Sequence, residues 1–141
     1  LPNIYWLFMV SYKPFYVKLP ISEYGYLEGW TAGWGIKTVA DYLISRSQNF
    51  NVIVGTEGYF GTLPDGLQIY TDSLPHLTVF GLDTGLTQIP AKLIDAKNYG
   101  DDVYLLLNSP KQKLSQSALD RLSLTQSFTK PDGSQLLLYK L

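Results

Sequence analysis

Polar side chains that could do chemistry follow three short apolar runs of the sequence. The runs 51–55 (NVIVG), 77–81 (LTVFG) and 103–107 (VYLLL) are continuous and apolar, as in strands buried on both faces of a parallel sheet. Because the carboxyl ends of parallel strands meet at one rim, where open α/β sheets bind ligands, the side chains that follow should converge there. The residues predicted to line this rim are Thr56, Glu57, Gly58, Asp83, Thr84, Asn108 and Ser109.

Two glycine-rich loops add backbone donors to the same region. The first, 28–35 (EGWTAGWG), and the second, 55–62 (GTEGYFGT), each precede a helical pattern, and a helix N-terminus attracts anions. Trp30, Gly33 and Gly35 therefore join the candidate ligand-binding residues. A tight turn without any ligand explains the glycines equally well, since glycine adopts positive φ at no steric cost. Both explanations stay open from the sequence.

Two familiar motifs occur in contexts that do not suit them. Gly29, Gly33 and Gly35 have a spacing similar to the dinucleotide-binding fingerprint, but that motif must follow a strand, and residues 19–28 predict none. The triplet Asp83-Thr84-Gly85 matches aspartic proteases, whose all-β fold needs two such aspartates and conflicts with the strong helical pattern at 36–44. We expect the triplet to be a turn after a strand.

The remaining titratable residues predict no catalytic centre and no metal site. His76, the only histidine, precedes a strand and should lie at the opposite end of the sheet, which excludes a Ser-His-Asp triad at the rim. Asp101 and Asp102 also precede a strand, so we expect a solvated turn rather than metal ligands. Glu57 is the carboxylate set in a glycine-rich loop at a strand end. Its predicted role is to accept backbone N–H bonds, with ligand binding as the alternative.

Helices are predicted between the strands. The clearest covers 36–44, because apolar residues recur there at the spacing of one helical face: Ile36, Val39, Ala40, Leu43 and Ile44. A second should follow Thr62, which with Asp65 resembles a capping box, and should bury the stripe formed by Leu63, Leu67 and Tyr70. Weaker helices are predicted over 90–98 and over 116–123, the latter capped by Ser115.

The C-terminal segment predicts a β-hairpin. The runs 124–129 (LTQSFT) and 134–141 (SQLLLYKL) flank the turn sequence Lys-Pro-Asp-Gly at 130–133. The whole pattern predicts an α/β three-layer sandwich with a small, mainly parallel sheet, helices on both faces and this C-terminal hairpin. We expect residues 28–141 to form a single domain and residues 1–27 to form a membrane-proximal arm or connector.

Composition excludes several classes of function. The 141 residues suit one domain, and the absence of cysteine removes disulfides, thiolate metal ligands and thiol nucleophiles. Eleven basic and twelve acidic residues give a net charge of −1 with no basic run, so a nucleic-acid partner is not expected. Eleven tyrosines and three tryptophans suit core packing or contact with sugars or lipid headgroups.

The first ten residues (LPNIYWLFMV) are apolar, whereas a bilayer span needs about 20 such residues. They also lack the basic start and small-residue cleavage site of a signal peptide. Two interpretations stay open for residues 1–10: the end of a longer hydrophobic segment, or an arm that packs on the domain. Residues 11–26 contain Pro14 and Pro20 and predict an extended connector.

Several short elements of the chain resemble a known family. They are Glu28-Gly29-Trp30, Gly33-Trp34-Gly35-Ile36-Lys37, Gly55-Thr56-Glu57-Gly58, Phe60-Gly61, Leu63-Pro64 and Ile69-Tyr70. Their order resembles the C-terminal soluble domain of bacterial membrane glycosyltransferases that use polyprenyl-phosphate sugars and are related to the protein O-mannosyltransferases. The likeness runs from Glu28 to the C-terminus and is specific over 28–70. One departure is Thr31, where the family often has proline.

The resemblance implies a place and a role for the domain. It would follow the last transmembrane helix at the bacterial cytoplasmic membrane, on the extracytoplasmic face, with residues 1–10 as the tail of that helix or its connector. Its partners would be the transmembrane part of the same polypeptide and a carbohydrate or lipid-linked sugar. The family's catalytic acid lies in the membrane part, and no residue here corresponds to it. The expected function is thus a non-catalytic accessory domain without a cofactor. The alternative is a free-standing α/β domain that binds or converts a small anionic or carbohydrate ligand at the rim.

Overall fold

The computed structural model describes residues 2–109 and 113–141 and has an α/β fold. One five-stranded mixed sheet and six α-helices occur within these residues. The strands are β1 (Val52–Glu57), β2 (Leu77–Leu82), β3 (Asp102–Asn108), β4 (Ser123–Thr129) and β5 (Gln135–Lys140). The helices are α1 (Pro2–Tyr12), α2 (Tyr24–Leu27), α3 (Ile36–Ser47), α4 (Asp65–Thr71), α5 (Ala91–Tyr99) and α6 (Gln116–Leu119). Leu1 lies outside the described residues.

The strand order is β2-β1-β3-β5-β4. β1 pairs in parallel with β2 and β3, whereas β5 pairs in antiparallel fashion with β3 and β4. The three strands predicted from apolar runs are confirmed. Every residue of the central strand β3 is buried, as expected for a strand covered on both faces, whereas most of the edge strand β4 is exposed.

Hydrophobic cores lie on both faces of the sheet. Because side chains alternate along a strand, Tyr104 and Leu106 of β3 pack with α3 and α4, whereas Val103 and Leu105 pack with α5 and α6. The connection from β1 to β2 runs through α4 on one face, and that from β2 to β3 runs through α5 on the other. The chain therefore reverses direction across the sheet between β1 and β3, which is the topological switch point of this fold.

The strongest predicted helix is confirmed as α3, and the weaker helix predicted over 90–98 is confirmed as α5. Gly35 precedes α3 with a φ of +82°, and a side chain at this position would overlap the Phe128 ring of β4. Only glycine fits both the backbone conformation and the space. This contact places the start of α3 close to the end of the sheet where β4 and β5 are joined.

Three features of the shorter helices differ from expectation. Thr62 does not cap α4, because its hydroxyl donates to the Thr31 carbonyl, and Asp65 instead accepts the Gly61 N–H at 2.8 Å. Tyr70, predicted to be buried, is exposed. Ser115 caps α6 as predicted, but the helix ends at Leu119 rather than at residue 123, where β4 has already begun.

The N-terminal arm is helical and exposed, and its connector is not extended as predicted. Within α1, the side chains from Ile4 onwards are exposed or nearly so, and the helix carries no charged residue. The proline-containing segment forms 3-10 turns at Pro14–Tyr16 and Ile21–Glu23. Pro14 fits the first position of its turn, because a backbone N–H at that position would have no hydrogen-bond partner within the turn. Val17 is buried, and the Phe15 ring meets the Trp34 ring edge-on. Among the described residues, no helix combines the length and apolarity required to cross a bilayer.

Deleting residues 1–10 should leave the domain folded, because neither core includes a residue of α1. We expect the free energy of unfolding to change by less than about 0.5 kcal/mol, which corresponds to about 2 °C in Tm. Leu43→Ala, a truncation inside the core, should cost roughly 2–5 kcal/mol in the same thermal unfolding assay. A fall of about 10 °C on deletion would show that the arm belongs to the core.

Asp102 was expected in a solvated turn but is buried at the start of β3. Its carboxylate pairs with Arg46 at 2.7 Å and with Lys140 at 2.5 Å, and the Tyr104 hydroxyl donates to it at 3.0 Å. Burial alone would raise the pKa of Asp102, but hydrogen bonds from Lys140, Arg46 and Tyr104 outweigh it and hold this pKa below its usual range. The neighbouring Asp101 accepts a hydrogen bond from Asn51. These contacts join α3, β3 and β5 at the end of the sheet opposite the rim.

Stability in acid should depend on Asp102. Since its pKa is lower in the folded chain than in the unfolded one, the pairing stabilises above about pH 4 and is lost as pH falls towards the folded pKa. The difference in unfolding free energy between the parent and Asp102→Asn should therefore shrink from pH 6 to pH 2 in urea titrations. Asp95→Asn, which alters an exposed carboxylate of α5, should give a small difference at every pH. A pH-independent penalty for Asp102→Asn would contradict the pairing.

Candidate functional site

The carboxyl ends of β1 and β3 bring two predicted site residues into direct contact. The Asn108 amide donates to Glu57 Oε1 at 2.7 Å, across the switch point between the two strands. Both side chains are buried, with Glu57 only 4% exposed. The rim predicted from the strand pattern therefore exists at this point, but its central carboxylate is enclosed and hydrogen-bonded to the protein rather than directed into solvent.

Lys130 contacts this pair through Asn108, and the sequence did not predict it as a site residue. Its ammonium donates to Asn108 Oδ1 and to the Gly29 carbonyl, each at 2.8 Å, and the residue is 1% exposed. Burial lowers the pKa of Lys130, and the charges of Asp132 and Glu57 oppose this effect. The Lys-Pro-Asp-Gly sequence indicates a turn, and turns are ordinarily solvated. No sequence signal showed that this lysine points inward.

Asp132, in the same turn, binds the segment that crosses the rim. Its carboxylate accepts the Gly29 N–H at 2.9 Å and the Tyr24 hydroxyl at 3.1 Å, as well as the side chain and N–H of Ser134. Burial raises the pKa of Asp132, but these hydrogen bonds outweigh it and the pKa is lowered. Both polar groups of Gly29 are thus held by the turn between β4 and β5, which keeps residues 24–29 across the end of the sheet.

The second strand end is more open. Asp83 and Thr84 follow β2 and are exposed, and the Tyr59 hydroxyl donates to Asp83 at 2.7 Å, which raises the pKa of Tyr59. Gly58 has a φ of +79° and bridges to Leu82, so the second glycine-rich loop folds back along β2. Tyr59 is a second contributor that the sequence interpretation missed, because its loop position predicts no partner.

The glycine-rich loops are largely explained by backbone geometry. Gly35, Gly58 and Gly61 have positive φ, as expected for tight turns, whereas Gly33 does not. Trp30 is 44% exposed on the first loop. The two loops are joined by the hydrogen bond from Thr62 to the Thr31 carbonyl.

Two further rim residues have separate surroundings. The Thr56 hydroxyl is fully buried and has no hydrogen-bond partner within residues 2–109 and 113–141. Ser109, in contrast, accepts the Gln135 N–H at 2.9 Å and so ties the end of β3 to the start of β5. Among the residues that the structure describes, neither hydroxyl is paired with a base that would make it a nucleophile.

Other side chains that could take part in catalysis or metal binding lie away from the rim. His76 lies before β2 at the opposite end of the sheet, as predicted, beside an open cavity of about 280 Å³ that Ser47 also lines. The Ser47 hydroxyl donates to the carbonyl of Ile44 in its own helix. In the part of the chain that the structure describes, no three His, Cys, Asp or Glu side chains gather as a metal site would require.

Comparison of the chain with protein-family models, with curated proteins and with solved structures gives no match.

Replacing Lys130 with methionine should destabilise the domain strongly. The substitution leaves Asn108 Oδ1 and the Gly29 carbonyl without their buried donor and removes the cation near Glu57, for which we expect a loss of roughly 3–5 kcal/mol. Lys97→Met, at an exposed position of α5, should change the free energy of unfolding by less than about 0.5 kcal/mol. Chemical denaturation measures both values, and equal small effects would exclude the buried network.

Proposed function

We propose that this chain is the extracytoplasmic accessory domain of a bacterial membrane glycosyltransferase that uses a polyprenyl-phosphate sugar. In this proposal α1 attaches the domain to the membrane, and the described residues do not perform the transfer. The transmembrane part of the same polypeptide is its partner. The assignment to glycosyltransferases is based on the likeness of residues 28–70 to such enzymes.

The exposed helix α1 carries the membrane part of this proposal. Its sequence, PNIYWLFMVSY, has no charged residue, and large apolar side chains project on all sides. A helix that is apolar all round is stable only when it is surrounded by protein or lipid. The folded domain does not cover it, since both cores are complete without it. Insertion into lipid or packing against other membrane helices would bury these side chains.

The rim supports an accessory role rather than catalysis. Hydrolysis of a glycosidic bond ordinarily uses a pair of carboxylates that reach the substrate. Glu57 is enclosed and bonded to Asn108, and Asp83 is bonded to Tyr59 on the neighbouring strand end.

The proposal includes the layer arrangement of the fold. The two hydrophobic cores are the interfaces of a three-layer sandwich, and β4 and β5 form its C-terminal hairpin.

Vesicle binding and turnover together test this function. The chain should cosediment with phospholipid vesicles and should lose this binding when residues 1–10 are deleted, because α1 is the attachment. It should show no turnover of polyprenyl-phosphate sugars or simple glycosides.

Turnover that disappears in Glu57→Gln would instead favour a free-standing enzyme. Amide chemical-shift changes confined to 56–61 and 83–85 on adding sugar phosphates would favour a ligand-binding domain. Retained vesicle binding after the deletion would contradict attachment through α1.

A further inference from the structure

A group of exposed aromatic side chains surrounds the carboxyl end of the sheet. We call this group the aromatic rim, and its members are Tyr16, Tyr24, Tyr26, Trp30, Tyr59 and Phe60. Exposure of single aromatic residues is ordinary, but this set lies on two neighbouring segments, residues 16–30 and residues 59–60. The arrangement therefore requires an explanation beyond the packing of the domain.

Hydrogen bonds hold these two segments side by side. The Thr31 hydroxyl donates to the Gly25 carbonyl at 2.9 Å, and the Thr62 hydroxyl donates to the Thr31 carbonyl at 2.8 Å. Tyr26 and Phe60, which are 75% and 78% exposed, lie within two residues of these contacts. These bonds place the loop that carries Tyr59 and Phe60 beside the segment that carries Tyr24, Tyr26 and Trp30 on the folded domain.

Helix α1 leaves the domain from this same end. After one intervening residue, Lys13, the turn at Pro14–Tyr16 begins, and the Phe15 ring packs on Trp34 with the ring centroids 6.2 Å apart. Trp34 precedes Gly35, which contacts Phe128. Phe128 pairs across the sheet with Leu136, which in turn pairs with Asn108 at the end of β3. The exit of α1 is therefore level with the carboxyl ends of the strands.

We propose that the carboxyl end of the sheet faces the bilayer and that the aromatic rim lies in its headgroup layer. This inference rests on the proposed attachment through α1 and adds the face that the domain turns towards the lipid. The switch point between β1 and β3, with Glu57 and Asn108, then lies just above the membrane surface, and the end that carries Asp102 points away from it.

The chemistry of the rim favours a lipid surface over a protein partner. Five of its six members are tyrosine or tryptophan, whose rings combine an apolar body with a polar group and concentrate at membrane interfaces. Lys13 and Lys18 lie exposed in the connector, and the first acidic residue of the chain is Glu23. Cations at this position attract anionic headgroups while their apolar stems remain near the acyl region.

The geometry predicts how far each part lies from the lipid. With 11 residues, α1 is roughly 16 Å long, about half the thickness of the hydrocarbon core. The strands are six or seven residues long, so the opposite end of the sheet lies roughly 20 Å farther from the bilayer than the rim. Tyr99, which ends α5 and is 88% exposed, marks this far end and serves as the matched control.

Site-directed spin labelling can measure this orientation because the chain contains no cysteine. Single cysteines at Leu7, Tyr26, Phe60 and Tyr99 would carry a nitroxide in vesicles of phosphatidylcholine and phosphatidylglycerol, whose anionic headgroups attract basic segments. Power saturation with oxygen and with an aqueous nickel chelate reports the depth of each label. Thermal unfolding of each labelled chain verifies that it is folded.

The expected result is a graded set of depths. Leu7 should be in the hydrocarbon, Tyr26 and Phe60 should lose at least half of their accessibility to the nickel chelate on vesicle addition, and Tyr99 should keep its accessibility unchanged. If Leu7 is inserted but Tyr26 and Phe60 remain as accessible as Tyr99, the orientation is wrong and the attachment stands. If Leu7 stays in water, the attachment through α1 and the proposed orientation are both wrong. Protection of Tyr26 and Phe60 without vesicles would assign this surface to a second copy of the chain and overturn the lipid inference.

Discussion

The buried ammonium of Lys130 is the interaction on which the arrangement of the rim depends. It joins three parts of the chain that are far apart in sequence: the first glycine-rich loop at Gly29, the end of β3 at Asn108, and the turn between β4 and β5. A buried cation is costly unless its donors are used, so its hydrogen bonds must form together. The same turn holds Gly29 a second time through Asp132. Residues 24–29 therefore cross the end of the sheet in one defined position.

Charged groups are buried at both ends of this sheet, and the two groups connect different helices and strands. At the far end Asp102 gathers Arg46 of α3 and Lys140 of β5 around the start of β3. At the rim Lys130 and Asn108 enclose Glu57 at the switch point, where related architectures ordinarily leave room for a ligand. A crevice filled by the chain's own side chains is consistent with a domain that supports a neighbouring site rather than containing one.

The exposed apolar helix and the aromatic rim have one physical explanation in the proposed function. Water is a poor environment for α1, and the tyrosines and tryptophan beside its exit suit the boundary between lipid and water. Attachment at the carboxyl end of the sheet would bring the two glycine-rich loops close to the membrane part of a transferase.

The sequence by itself determined the elements whose signals are local. Continuous apolar runs predicted β1, β2 and β3, helical spacing predicted α3, and Ser115 predicted the start of α6, because burial on a strand or a helix face leaves a periodic pattern. The sequence also placed Glu57 and Asn108 at a common rim, since parallel strands end together. Only the tertiary structure decided that Lys130 turns inward, that Asp102 is paired rather than solvated, and that the proline-containing connector folds across the rim. These features depend on contacts between residues as far as 108 positions apart, and such contacts leave no local pattern in the chain.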